Sequence, residues 1–285
     1  MIAGNRDDIE KILSGSGDSE AELDARILTE ELEGEALDEA VRRRASGEPL
    51  AYILGHRSFY REDYHVAPGV LIPRSDSELL VECALQYLGC LDLVIGDVTK
   101  ICGREGRPLN VRFADLCTGT GCIGISLANE LLRHCVNVTG ILTDISGTAL
   151  EIAAANVNDC CIEPSRINVK RHNILEDELD IHFDLIVSNP PYITDSEMLE
   201  LDTGVSDYEP SLALEGGPDG LKFYRSIFAK AFGVLTPGGA VMVEHGYLQG
   251  EDVRRLCAEA GFEDIITLKD YGGNDRVTAG FKHAG

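Results

Sequence analysis

No segment of the 285-residue sequence is apolar for long enough to cross a bilayer, so no membrane association is expected. The first residues, MIAGNRDDIEK, are acidic and lack an apolar core, which speaks against a secretory signal. Nine cysteines include no Cys-x-x-Cys pair, and seven histidines no His-x-x-x-His pair. That argues against a metal site or a disulfide framework, and for reduced thiols in the cytoplasm. Tryptophan is absent altogether. Cations are scarce: 25 Lys and Arg stand against 49 Asp and Glu, a net charge of −24. A phosphate backbone would be repelled unless a local patch compensated, so direct nucleic-acid binding is not expected. Internal repeats and low-complexity tracts are missing too.

What is present falls into two unlike regions. Residues 1–40 carry 13 Asp and Glu but three Lys and Arg. Ile9, Ile12 and Leu13 share a helical face, as do Leu23, Ile27 and Leu28 after a capping candidate at Asp18-Ser19. Leu32, Leu37 and Val41 continue the pattern to Arg42-Arg43-Arg44, which reads as a solvated helix end. The expectation is a small helical domain over 1–57, too small for a strong core of its own. Residues 58–74 come next as a β-hairpin linker broken at Ala67-Pro68-Gly69. A helix is expected over 75–88, with Ser75 and Glu78 as a capping box, then a loop over 96–110.

Further along the chain, strands and helices alternate. Strands are expected at 111–116, 138–143, 166–171, 183–188 and 240–244. Helices are expected at 121–133, 146–157, 220–233 and 250–260. The end, EDIITLKDYGGNDRVTAGFK, reads as an antiparallel hairpin around Gly272-Gly273-Asn274 at the sheet edge. The fold class is α/β: a doubly wound, mostly parallel sheet over 75–285, with the helical domain in front.

Ligands of such sheets bind beyond the carboxyl ends of the strands, and three loops there belong together. The first, DLCTGTG, turns tightly at Gly119 and Gly121 and lets a ligand approach the backbone. Asp115 could bond a cationic or amine-bearing ligand, or simply support the loop. In the second, Asp144 ends a strand where a carboxylate can accept both hydroxyls of a ribose; alone, it would equally suit a helix cap. The third, NPPY, ends a strand on Asn189 followed by Pro190 and Pro191, which cannot continue a ladder. If the Asn189 oxygen and the Pro190 carbonyl accept the hydrogens of an –NH2 group, they turn its lone pair outward. They also stabilise the charge that grows on nitrogen during methyl transfer. Tyr192 can stack on a planar group.

Together the three loops resemble the class I S-adenosylmethionine-dependent methyltransferases that modify planar nitrogen. An adenine-N6 methyltransferase of nucleic acid shares the Asn-Pro-Pro-Tyr loop, and a cofactor-binding protein without turnover is a further alternative. The flanks separate the two kinds of nitrogen, while the reading without turnover stays open. GEPLAYILGHRSFY, VLIPRSDSELLVE, YEPSLALEGGPDGLKFYR, GGAVMVEHGYLQG and DYGGNDRV resemble, in this order, the release-factor glutamine methyltransferase (HemK/PrmC) family. The likeness runs from about residue 47 to 282. It implies N5-methylation of the glutamine in the Gly-Gly-Gln loop of a peptide-chain release factor, with S-adenosylmethionine as donor. By position, Asn189, Pro190, Pro191 and Tyr192 would hold the glutamine amide, with Asn189, Pro190 and Tyr192 as the catalytic set. Asp115, Cys117, Thr118, Gly119, Thr120, Gly121, Asp144, Asn173, Ile174 and Asn189 would hold the cofactor, and Arg74 and Glu78 would structure the mouth of the site. The family commonly has glycine where Cys117 stands, and an acidic or aromatic adenine contact where His172-Asn173-Ile174 stand. Nothing in the sequence asks for an obligate dimer; a monomer is expected.

Overall fold

The computed structural model describes residues 5–91, 108–201 and 203–283. The loop expected over 96–110 lies outside them as far as residue 107. No helix among the described residues is long and apolar enough to cross a membrane.

Three helices, α1 (Arg6–Gly15), α2 (Ala21–Glu31) and α3 (Gly34–Ala45), bury Ile9, Leu13, Ala25, Leu28 and Val41 against one another. Leu23 instead faces solvent. The arginine run is not simply solvated: Arg44 reaches back to Asp18 at 2.8 Å and Asp24 at 2.5 Å, stitching α3 to the α1–α2 turn. A short helix, α4 (Leu50–Leu54), turns two faces to two clusters. Leu50, Ile53 and Leu54 complete the bundle, while Ala51 and Tyr52 pack with Val66 and Ile72 of the linker. A five-residue helix thus joins the helical region to the linker.

The linker hairpin is β1 (His56–Phe59) with β2 (Glu62–His65). Its turn falls at Tyr60-Arg61, not at Ala67-Pro68-Gly69, because Tyr60 takes a left-handed conformation (φ 58°) and closes the hairpin early. The Tyr60 N–H donates to Glu78 Oε1 at 2.8 Å. That bond corrects the expected capping box. Residues 75–77 form a 3-10 turn with no side-chain cap, and α5 (Glu78–Tyr87) begins only after it.

The sheet has seven strands: β3 (Asn110–Leu116), β4 (Asn137–Asp144), β5 (Ile167–Arg171), β6 (Phe183–Ser188), β9 (Leu235–Glu244), β10 (Glu263–Lys269) and β11 (Asp275–Lys282), in the order β10-β11-β9-β6-β3-β4-β5. Two short strands, β7 (Ile193–Thr194) and β8 (Glu215–Gly217), pair separately. Strands β3, β4, β5, β6 and β9 run parallel; β11 is antiparallel to β9, and β10 to β11. Helices α5, α6 (Cys122–Arg133) and α7 (Gly147–Cys160) cover one face, and α8 (Lys222–Val234) and α9 (Gly250–Glu259) the other. The doubly wound, mostly parallel α/β sheet expected from the alternation is the one found, with its antiparallel hairpin at one edge.

Strand alternation decides which face each end residue meets. On β3, Val111 and Phe113 enter the α5–α6 core and Ala114 and Leu116 the α8–α9 core. On β9, Ala240 and Met242 do the former, Val241 and Val243 the latter. Asp115 and Glu244 therefore fall in phase with the α5–α6 side. Asn189, in phase with Leu185 and Val187, does so too.

Candidate active site

The chain runs outward from β3 through β4 to β5, then returns to place β6 on the other side of β3. That reversal opens a crevice between β3 and β6 at their carboxyl ends. Leu116 and Ser188 are register partners, so the glycine turn and the Asn-Pro-Pro-Tyr corner leave the sheet side by side. Between them lies a cleft of about 1040 Å3, measured out to its open mouth.

The glycine turn is built from alternating left-handed residues: Cys117 (φ 58°), Gly119 (φ 56°) and Gly121 (φ 83°). At Gly121 a side chain would also meet Ile125 at 3.1 Å and Leu142 at 3.2 Å. Cys117 is the one of the three that carries a Cβ, in a region that favours glycine. Asp144 ties this turn to the next. Its Oδ2 accepts from Gly119 N and its Oδ1 from Ser146 N, both at 2.9 Å. The cap of α7 is Ser146, so Asp144 is left to face the cleft. Burial raises its pKa, and the Ser146 and Gly119 N–H groups oppose the rise.

Asp115 is fully buried and stands behind the turn, not in the cleft. Its Oδ2 accepts from Thr118 Oγ1 at 2.5 Å and Gly124 N at 3.1 Å, while Oδ1 has no partner. Burial pushes it up to about 7. Of the residues assigned from sequence, the cleft gathers Cys117, Thr118, Gly119, Thr120, Asp144, Asn173, Ile174, Asn189 and Pro191. Gly121, Pro190 and Tyr192 do not line it. The Tyr192 ring packs with the α8–α9 core, and its carbonyl accepts from Gln249 Nε2 at 2.9 Å. Asn173 Oδ1 already accepts from Leu175 N at 3.1 Å within its own turn.

Three parts of the site go beyond the residues assigned from sequence, although the His172-Asn173-Ile174 stretch already departs from the family in sequence. Linker residues Gly69 to Pro73 form one wall, pinned by Glu209: its Oε2 accepts from Ile72 N at 3.2 Å and its Oε1 pairs with Arg74. His172 lines the β5 end of the cleft with a buried, unpartnered Nε2, and burial lowers its pKa, which favours the neutral ring. Beneath Asn189 sit Ser77 and Glu244: Asn189 Nδ2 donates to Ser77 Oγ at 3.1 Å. Glu244 is buried, with burial pushing it up to about 7 against hydrogen bonds from Ser77 and Asn189 and the charge of Arg276. Its position directly before His245 at a strand end was the one available sign.

The arrangement can bind a ligand with a diol at Asp144, an apolar plane between Ile145 and Ile174, and a polar group along the glycine turn. It presents an amide next to that ligand.

A family model described as the methyltransferase small domain matches residues 105–203. The chain is 38% identical over 286 residues to the release factor glutamine methyltransferase of Agrobacterium fabrum, covering 94% of this chain and 92% of that protein. It is 35% identical to the protein of the same name from Haemophilus influenzae, covering 92% and 91%. A solved protein-(glutamine-N5) methyltransferase (release factor-specific) from Alicyclobacillus acidocaldarius is 29% identical, covers 78% of this chain and 100% of that one, and superposes with a TM-score of 0.42. Sequence identity at this level over nearly the full length shows that the chain belongs to the release factor glutamine methyltransferase family.

Proposed function

We propose that this protein transfers a methyl group from S-adenosylmethionine to the side-chain nitrogen of a glutamine, in the Gly-Gly-Gln loop of a peptide-chain release factor. The observation that carries the reading is the placement of Asn189 beside the glycine turn and Asp144 in one cleft, with its amide nitrogen held from behind by Ser77.

The donor set suits this cofactor. Asp144 offers carboxylate oxygens to a ribose diol, Ile145 and Ile174 offer apolar faces to an adenine, and the turn from Cys117 to Thr120 lets a methionine lie against backbone. When bound, S-adenosylmethionine supplies an electrophilic sulfonium methyl. The protein's part is orientation. A glutamine amide nitrogen is a poor nucleophile because its lone pair is delocalised into the carbonyl. With Asn189 Nδ2 engaged by Ser77, Asn189 Oδ1 turns to the cleft as an acceptor. The resemblance makes the Pro190 carbonyl, held between two proline rings, the second acceptor, although Pro190 is buried and does not line the cleft. Together they hold the –NH2 with its lone pair in line and offset the positive charge that builds on it.

A protein rather than a nucleic acid fits the charge at the mouth. Among the described residues the one arginine lining the cleft, Arg74, is already paired with Glu209. The test is transfer of label from S-adenosylmethionine to a release factor and to its variant with the Gly-Gly-Gln glutamine replaced. Labelling of the first alone is expected; equal labelling of both would sink the reading.

We assign residues 1–57 to gripping the protein substrate, as a domain braced by α4. Deleting residues 1–46, with Leu50, Ile53 and Leu54 made polar to cover the face this bares, should raise KM for the release factor and leave cofactor affinity unchanged. An unchanged KM would count against the assignment.

A further inference from the structure

A buried carboxyl group lies beneath the Asn189 corner, outside the lining of the cleft. Glu244 ends β9 with 2% of its surface exposed, and among the described residues its Oε2 has no hydrogen-bond partner. A buried carboxyl oxygen without a partner costs stability, so its presence calls for a function. Asn189 Nδ2 donates to Ser77 Oγ at 3.1 Å, and both side chains stand near enough to Glu244 to oppose the rise in its pKa.

The direction of that bond is the important property. A carboxylate can only accept. Ser77 Oγ already accepts the Asn189 Nδ2–H, so its single O–H is free to turn to the carboxylate behind it. An amide whose nitrogen is committed backwards shows its oxygen forwards. A neutral group at position 244, able to donate, would permit the reverse order: Ser77 O–H to Asn189 Oδ1, with the amide nitrogen facing the cleft. In that state Asn189 offers a donor to the glutamine –NH2, which needs an acceptor.

We propose that Glu244 is a positioning residue, a buried carboxylate that sets the polarity of the Asn189–Ser77–Glu244 chain and so keeps the Asn189 oxygen turned to the substrate amide. The proposal rests on the glutamine-methyltransferase reading and deepens it. Supporting groups surround the carboxylate on every side. From β11 comes Arg276, held by Asp270 at 3.0 Å and Asp76 at 3.2 Å, whose charge favours the ionised form. Asp76, beside Ser77, opposes it. Tyr192 is raised to about 12 by burial and stays neutral. On the α8 side, the Tyr224 hydroxyl, also neutral, donates to the Glu244 carbonyl at 2.9 Å and fixes the strand end. His245, next along β9, is turned to Thr278 and Gly246.

The test measures single-turnover methyl transfer to a release factor, with cofactor affinity by calorimetry, for wild type, Glu244→Gln, Ser77→Ala and the double variant. Wild type should show a rate that rises with pH through about 7, where Glu244 ionises. Glu244→Gln should lose on the order of 10-fold in rate at pH 8, less than loss of a direct contact, keep its cofactor affinity, and lose that pH limb. Because one chain is broken at two places, the double variant should be no slower than the slower single variant. Multiplying effects, or a Glu244→Gln enzyme as fast as wild type with the same limb, would overturn the proposal. A wild-type rate flat between pH 6 and 8.5 would do so without any variant, which covers the case of a Glu244→Gln protein that does not fold. Wild type that labels no glutamine at all would instead remove the parent reading.

Discussion

Asn189 sits where a residue's identity outweighs its packing. It is half-buried, bonded behind to Ser77, and open in front. Asn189→Ala should cut turnover by roughly 100-fold or more, the usual loss when a polar contact at a reacting centre is removed. Cofactor affinity should fall far less, since Asp144 and the glycine turn remain. Steady-state rates paired with calorimetry check this. Cys117 is the second telling residue. Its left-handed backbone tolerates few side chains, and a β-branched one least. Cys117→Val should lower stability by about 2 kcal/mol, within the range for a non-glycine residue held in strained backbone, visible as a lower denaturation midpoint. Asn189 and Asp144 could be picked out from sequence because each is a polar residue ending an apolar strand. Ser77 could not, since a serine in a helix-start pattern has commoner explanations, and Glu244, though it too ends an apolar strand, meets Asn189 only through the strand order.

At the scale of elements, the site is held together by groups that cross between them. Asn156 on α7 accepts from His65 N at 2.8 Å and donates to His65 O at 3.1 Å and Thr120 O at 2.9 Å. One buried amide thereby locks the hairpin linker to the helix and to the glycine turn. Asn156→Ala leaves those three backbone groups without their partner, at about 1–3 kcal/mol each where water cannot replace it. The expected result is a lower melting temperature together with weaker cofactor binding, because the turn is loosened. Normal affinity in a destabilised protein would show that the turn holds its shape without Asn156. The elements themselves were largely legible. Strand β6 has the bounds read from its apolar run, and the other long elements differ by a few residues at their ends, as with β9, which starts at Leu235 instead of Ala240. The hairpin turn and the start of α5 were misread for one reason. Tyr60 and Glu78 bond to each other across 18 residues, and local patterns carry no trace of such a partner.

Across the whole molecule, buried acids set the response to pH. Asp115 and Glu244 are both pushed up to about 7 by burial, from 3.8 and 4.5. Between those values and 7, the folded chain keeps protons that the unfolded chain has released. The stability they contribute is therefore complete at low pH and is lost as pH rises through 7. Rising negative charge on a chain with net −24 acts in the same direction. Glu48, Asp219 and Asp270, lowered by hydrogen bonds, act the other way below about pH 4.5, and His172 and His245, lowered by burial, oppose the two acids below 6.5. The melting temperature should be higher at pH 5.5 than at pH 8; equal values would show that burial does not govern these two acids.

The sequence alone determined the alternation of strands and helices, the loops that bear the chemistry and the family they resemble, because apolar periodicity and the stiffness of proline and glycine act over a few residues. Only the tertiary structure decided that Leu116 and Ser188 lie in register, that the linker walls the cleft, and that a glutamate 55 residues beyond Asn189 stands behind it. Those facts depend on strand order and on the partner each buried polar atom finds, and both arise from packing between segments far apart in the chain.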